Sequence, residues 1–334
     1  MKPYRLLMSC TAVLGALLLN SGLAYSQTAS QTAGYPTRPI TIVLPFAAGS
    51  SADIEARLYA PKLTEALGKP ILVDYKPGAG SSIGTIFVGK SAPDGYTLLG
   101  VTPGFTVYPA FFPADKLPYD PVKEFAPISQ VTRRGTLMLV HPSLGVKTLA
   151  EYIAYAKAHP DAINFGTSGG GGILHIVGAW LHSATNTKVT FIHYKGSGPV
   201  YVDMLAGRIT AAPTVVFIGL PLIKSGKVIA IASMGLERTK YLPDLKTLAE
   251  QGLPDFDYTS WSGYLAPART PDAIVERLGA EFAKIARAPD LVKRMETDGA
   301  EMVGSTPEQF RKTVATETAR WRKVVQENNI KLEE

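Results

Sequence analysis

The chain has 334 residues, 46% hydrophobic and 19% charged, with a formal net charge of +6 at pH 7. Its Lys and Arg are scattered and form no basic stripe interleaved with aromatics, which argues against nucleic-acid binding. The one cysteine, Cys10, lies in the leading segment, so the remainder offers no disulfide and no thiolate metal site, and about 300 residues must rely on their own core, in two domains as a soft expectation.

Lys2 and Arg5 precede an uncharged apolar run from Leu6 to Leu19, and Ala24 and Ser26 follow at an A-x-S spacing. This pattern predicts a secretory leader over residues 1–26, cut near Gln27. The run falls short of the roughly 20 apolar residues that span a bilayer. Leu7-Met8-Ser9-Cys10 mimics a lipoprotein site, but cutting there would split the apolar run. Loss of Lys2 and Arg5 takes the charge from +6 to +4. Residues 27–34 are small and polar and predict a flexible tail.

Ile40 to Leu44 reads as a strand and Ala52 to Leu67 as a helix with one broad apolar face, kinked or broken at Pro61 and stopped at Gly68. Ile71 to Asp74 is the next strand, which makes a βαβ unit with parallel strands. Strands follow at Tyr96 to Val101, Leu137 to Val140, Ile163 to Phe165, Val189 to Ile192, Val228 to Ala232 and Gly263 to Ala266. Helices are predicted at Leu149 to Ala158, around Leu174 to Ser183 and near Pro199 to Leu205. Thr270 is expected to cap a helix that begins at Pro271. Thr306, Pro307 and Gln309 have the spacing of an N-cap, a first-turn proline and a capping-box partner. This alternation predicts an α/β fold with open sheets.

Three loops share the order strand, small-residue turn, helix start: Pro45 to Asp53, Pro77 to Ser82, and Gly166 to Gly172. In open α/β sheets such loops lie at the carboxyl ends of strands, where ligands bind. Helix N-termini present unpaired N–H groups and partial positive charge, each contributing about 0.3–2 kcal/mol to holding an anion. Phe46, Phe105 and Tyr108 sit in or beside these loops, where they would wall a ligand or anchor the turn.

Gly166-Thr167-Ser168-Gly169-Gly170 also matches the G-x-S-x-G nucleophile elbow. The usual order places an acid between the serine and the histidine. No Asp or Glu lies between Ser168 and His193, the last histidine, so that order is impossible, and a secreted serine hydrolase centred on Ser168 would need a non-standard triad. Gly78 to Gly84 misses the dinucleotide fingerprint by one residue, and no phosphate-loop lysine is present. His141, His159, His175, His182 and His193 form no tight ligand pair, so no metal and no cofactor is predicted. A ligand sensor feeding a signalling partner is a further alternative.

Tyr35-Pro36-Thr37-Arg38-Pro39-Ile40, Pro45-Phe46 through Asp53, Pro77-Gly78-Ala79-Gly80, Asp94-Gly95-Tyr96-Thr97-Leu98-Leu99, Leu117 to Val122, Tyr194-Lys195-Gly196-Ser197, Leu253-Pro254 and Leu265-Ala266-Pro267 occur in order. Together they resemble the Bug, or TctC, family of tripartite tricarboxylate transporter substrate-binding proteins over Tyr35 to Ile330. The resemblance implies a periplasmic receptor and not an enzyme. Its fold would be α/β of the periplasmic binding protein type, a Venus flytrap with residues 35–135 and 236–334 in one lobe and 136–235 in the other. It would be a monomer that takes a small carboxylate in the cleft and delivers it to inner-membrane permease subunits of the TctA and TctB type.

Carried over by position, Phe46, Ala48, Gly49, Ser50, Ser51 and Asp53 would hold the ligand from the first lobe, bordered by Gly80, Ser81 and Thr102. Ser168, Gly170 and Gly171 would hold it from the second, with His175 nearby. Two departures stand out. Gly172-Ile173 replaces the family's usual Thr-Ser, which removes two hydroxyl donors. The acid that often follows a later strand falls here on Thr214, which cannot pair with an ammonium group, so the expected ligand is a dicarboxylate or aromatic carboxylate without an amine.

Overall fold

The structure, a computed structural model, describes residues 34–332 apart from 195 and 298. The expected leader, all but the last residue of the expected tail, and Lys195 lie outside the described residues. The first part of the chain forms β1 (Ile40–Leu44), α1 (Ser51–Leu67), β2 (Ile71–Tyr75), α2 (Ser82–Gly89), β3 (Thr97–Val101), α3 (Gly104–Val107) and β4 (Phe125–Arg134). Next come β5 (Thr136–Val140), α4 (Leu149–Ala158), β6 (Asn164–Thr167), α5 (Ile173–Thr185), β7 (Thr190–His193), α6 (Ser197–Leu205), β8 (Ala211–Val215), α7 (Val216–Lys224) and β9 (Ile229–Ser233). The chain ends with β10 (Ser260–Pro267), α8 (Asp272–Ala286), α9 (Pro289–Thr297), β11 (Ala300–Met302) and α10 (Pro307–Glu327).

These strands build two sheets, one ordered β11-β4-β10-β3-β1-β2 and one ordered β7-β6-β8-β5-β9. β1, β2 and β3 run parallel, as the βαβ reading predicts. β6, β7 and β8 are the parallel strands of the second sheet. Alternation along β1 covers both faces: Ile40, Ile42 and Leu44 join Tyr59, Leu63 and Phe282 on one side, and Val43 joins Leu99 and Phe310 on the other. This is the pattern of a sheet buried between helices.

The register fixes where the sheets meet. Gly263 of β10 lies opposite Val101, the end of β3, and Ser260 lies opposite Arg134, the end of β4. The chain then passes through Gly135 into β5, whose first residue, Thr136, lies opposite Val215, the end of β8. β9 ends at Ser233, opposite Leu137. Both connections therefore join the carboxyl edge of one parallel set to the carboxyl edge of the other. The loops after β1, β2 and β3 and those after β6, β7 and β8 border one inter-sheet space. The two crossovers are bonded to each other: Met234 N–H donates to the Thr136 carbonyl at 2.9 Å, Tyr258 N–H to the Met234 carbonyl at 2.7 Å, and the Thr136 hydroxyl to the Tyr258 carbonyl at 2.5 Å.

α10 spans both halves. Phe310 and Val314 pack in the first sheet's core, whereas Trp321, Val324 and Val325 pack with Phe165, Trp180 and Phe256 in the second's. Trp180 stacks on Phe256 at 4.1 Å and meets Trp321 edge-on at 5.9 Å.

Three local expectations are corrected. α1 runs through Pro61 without a break. Pro61 is exposed, so the Arg57 carbonyl that loses its helical partner can be solvated and the helix tolerates the ring. Thr270 does not cap α8. Its hydroxyl donates to the Pro267 carbonyl at 2.7 Å, Pro271 is the N-cap, and the helix begins at Asp272. Thr214 lies within β8 and not after it. The Thr306 capping box forms as expected, with Gln309 N–H to Thr306 Oγ1 at 3.2 Å and Thr306 N–H to Gln309 Oε1 at 2.9 Å.

Candidate functional site

The first loop, between β1 and α1, is organised by Ser50 and Asp53. Ser50 is the N-cap of α1, and its Oγ accepts the Asp53 N–H at 3.3 Å. Asp53 Oδ2 accepts the Gly49 N–H at 2.8 Å. Asp53 Oδ1 accepts from Arg57 Nε at 2.8 Å and from the Tyr75 hydroxyl at 2.7 Å. Ser50 N–H bonds the Ala47 carbonyl at 3.3 Å. Burial would raise the Asp53 pKa, but the Gly49 N–H, the Tyr75 hydroxyl and the Arg57 guanidinium together hold it below the ordinary carboxylate value. Asp53 is thus a scaffold of the loop, and the N–H groups of Gly49, Ser50 and Asp53 are spent inside it. Those of Ala47, Ala48, Ser51 and Ala52 have no partner among the described residues. Ala48 and Ser51 are exposed, and Phe46, half-buried, packs on the core behind them.

The second loop follows β2. Ala79, Gly80 and Ser81 have φ of 45°, 61° and 77°, three successive left-handed residues. That conformation is uncommon for the non-glycine pair and is characteristic of functional turns. A Cβ at Gly80 would come within 2.8 Å of the Tyr108 ring, so glycine is what allows the turn to lie on that ring. Thr102 follows β3, and its carbonyl accepts the Phe105 N–H at 2.9 Å.

In the other sheet, Ser168, Gly169 and Gly170 follow β6 and precede α5. Gly171 N–H donates to His175 Nδ1 at 3.1 Å, and Gly172 N–H donates to the Gly169 carbonyl at 3.2 Å. The N–H groups of Ser168 and Gly170 have no partner among the described residues. Gly171 has φ of 67°, and a Cβ there would collide with Leu332 at 2.1 Å. His175 is buried and packs edge-on against Phe191 and His193, with ring centroids 4.8 Å and 4.9 Å away.

The two loops therefore share one construction. A glycine N–H turns back onto a side-chain acceptor four residues later, and N–H groups near it have no partner among the described residues. Gly49 and Gly171, which the resemblance implies as ligand contacts, have their N–H groups bonded within their own loops. Thr214 is 1% exposed, with its hydroxyl directed at the Val215 carbonyl at 3.3 Å, so it presents no donor to the space. Arg57 and Tyr75 were missed, whereas Tyr108, expected to wall a ligand or anchor the turn, lies against Gly80. The i to i+4 spacing of Asp53 and Arg57 was a readable signal for the first, whereas Tyr75 reaches the loop through tertiary contact alone. Beside Ser168, the hydroxyl of Thr167 lies 2.5 Å from His193 Nδ1.

Residues 55–330 match the model of the tripartite tricarboxylate transporter family receptor. This chain belongs to that family. It is 33% identical over 321 residues to Protein BugT of Bordetella pertussis, covering 96% of this chain and 98% of BugT. Its structure is similar to that of Rhodopseudomonas palustris Rpa4515 with adipate (TM-score 0.79, 31% identity, 89% of this chain and 99% of that one). It is equally similar to MatC of Rhodopseudomonas palustris with bound malate (TM-score 0.79, 31% identity, 87% of this chain and 100% of that one). Tripartite tricarboxylate receptors are periplasmic solute-binding proteins of the two-lobed α/β type and not enzymes; they take small carboxylates and work with membrane transporter components. Among the described residues, no helix is long and apolar enough to cross a membrane.

Proposed function

We propose that this receptor captures a dicarboxylate or aromatic carboxylate that lacks an amine, and presents it to permease subunits of the TctA and TctB type. The receptor acts as a monomer exported by its leader, with lobes formed by residues 35–135 with 236–334 and by 136–235. The end of α10 packs across onto the second lobe.

The observation that carries this reading is the pair of open N–H clusters, at Ala48 and Ser51 on one side and at Ser168 and Gly170 on the other, each at the N-terminal end of a helix of 17 or 13 residues. Each helix terminus favours an anion by about 0.3–2 kcal/mol, and a carboxylate held between them stabilises the closed form over the open one. Asp53 is the only acid among the proposed contacts, and Gly49, Arg57 and Tyr75 already occupy both its oxygens. With Thr214 neutral and buried, no uncommitted carboxylate among the proposed contacts receives an ammonium group. The adipate of Rpa4515 and the malate of MatC are ligands of this kind.

Titration calorimetry with adipate, succinate, terephthalate, aspartate and glutamate tests the proposal. At least one amine-free diacid should bind tenfold or more tighter than either amino acid. Tighter binding of aspartate or glutamate would overturn it.

A further inference from the structure

Glu55 follows Asp53 by two residues on α1, yet its side chain turns away from the loop and is 2% exposed. Its carboxylate accepts from Thr132 Oγ1 at 3.1 Å and, at close range, from Ser262 Oγ and the Arg134 guanidinium. Arg134 Nη1 also donates to Thr132 Oγ1 at 3.0 Å, and Arg134 is itself buried. Thr132 and Ser262 face each other across β4 and β10. Arg134 is the last residue before Gly135, where the chain first crosses between sheets, and β10 begins where it crosses back. One buried ion pair thus ties the helix that carries the first ligand loop to the strands that carry both crossovers.

Stability alone is a poor reason for such a pair, because an apolar replacement of similar volume is commonly as stable. We infer that Glu55 and Arg134 are positioning residues that make α1 and the crossover strands move as one body, so that a ligand seated at Ala48 and Ser51 drives the closure of the lobes. The ligand half of this inference rests on the function proposed above; the mechanical half does not.

The informative variant is the double replacement Glu55→Leu with Arg134→Met, which removes both charges together and leaves neither one buried alone. Amide hydrogen exchange on the ligand-free protein provides the first readout. Exchange should quicken at least tenfold at residues 134–136, 234–236 and the first two turns of α1, with the β1–β3 core unchanged. Unchanged protection at the crossovers, or a uniform rise through the whole sheet as for a packing defect, would overturn the inference. The second readout uses adipate as the probe: the variant should bind at least tenfold more weakly and lose the parent's compaction in small-angle scattering. Binding within twofold, with full compaction, would overturn it. A parent that ignores adipate would count against the proposed ligand class, and the exchange readout would still decide the mechanical claim. If the double variant fails to fold, Ser262→Ala carries the same test, with an expected threefold effect at the same amides.

Discussion

The backbone N–H of Gly171 donates to His175 Nδ1 at 3.1 Å, and Gly49 makes the same four-residue contact with Asp53 at 2.8 Å. One acceptor is a neutral ring nitrogen and the other a carboxylate, but each pins a glycine turn ahead of a helix. Near each, N–H groups (Ala48 and Ser51, Ser168 and Gly170) have no partner among the described residues.

His175→Ala should uncouple this turn. It leaves the Gly171 N–H buried without an acceptor, a cost of about 1–3 kcal/mol. Calorimetry should show the tightest carboxylate bound about tenfold more weakly, with a circular dichroism spectrum like the parent's. Unchanged affinity would show that the turn holds its shape without the ring.

Asp53 predicts a pH dependence of definite sign. Its pKa in the folded protein lies below the ordinary value. The stability it contributes is therefore fully present above the unfolded pKa of about 3.9 and is lost as pH falls through the lower folded value. Urea unfolding at pH 7 should show Asp53→Asn destabilised by about 1.5–3 kcal/mol, the range for hydrogen bonds to a charged group. That gap should narrow below about pH 4. A gap that stays constant down to pH 3 would contradict the assignment.

His182 acts in a higher window. Burial lowers its pKa from 6.5 to about 3, and the neutral ring contacts Thr187 at 2.7 Å and Tyr152 at 3.3 Å. Between those values the unfolded chain binds a proton that the folded chain does not, so this group removes up to about 1.4 kcal/mol of stability per pH unit as pH falls. Denaturant titrations between pH 7 and pH 5 should show a shallower slope for His182→Asn than for the parent.

Ser168→Trp tests the loop between β6 and α5 without entering a core. Ser168 is only half-buried, so the melting temperature should shift by no more than a few degrees, while carboxylate binding should become undetectable by calorimetry. Retained affinity would remove this loop from the site.

Parallel strands such as β1 were legible because alternating apolar residues, Ile40, Ile42 and Leu44, run into a glycine turn, whereas β8 (Ala211–Val215) was not predicted. β4 was not. Its run Phe125–Arg134 carries Pro127 and four polar or charged residues after Ile128 that the fold buries: Ser129, Gln130, Thr132 and Arg134. Pro127 is accommodated beside a register shift, where β11 no longer pairs with β4. The candidate loops were legible as glycine-rich turns, and the resemblance to the receptor family implies that they share one cleft. Which N–H groups stay open was not legible, because that depends on a side chain folding back onto its own loop. The hinge network was hidden for a related reason. Glu55, Thr132, Arg134 and Ser262 come from three elements, and only the β4–β10 register brings them together.

The most direct test is a crystal structure of the receptor with its tightest-binding carboxylate. The account predicts ligand oxygens within hydrogen-bond distance of the N–H groups of Ala48 or Ser51 and of Ser168 or Gly170, with Asp53 and His175 still bonded to Gly49 and Gly171. A ligand lodged instead in the cavity of about 510 Å³ beside the crossovers, lined by Arg133, Ser233, Arg238 and Glu301, would contradict it.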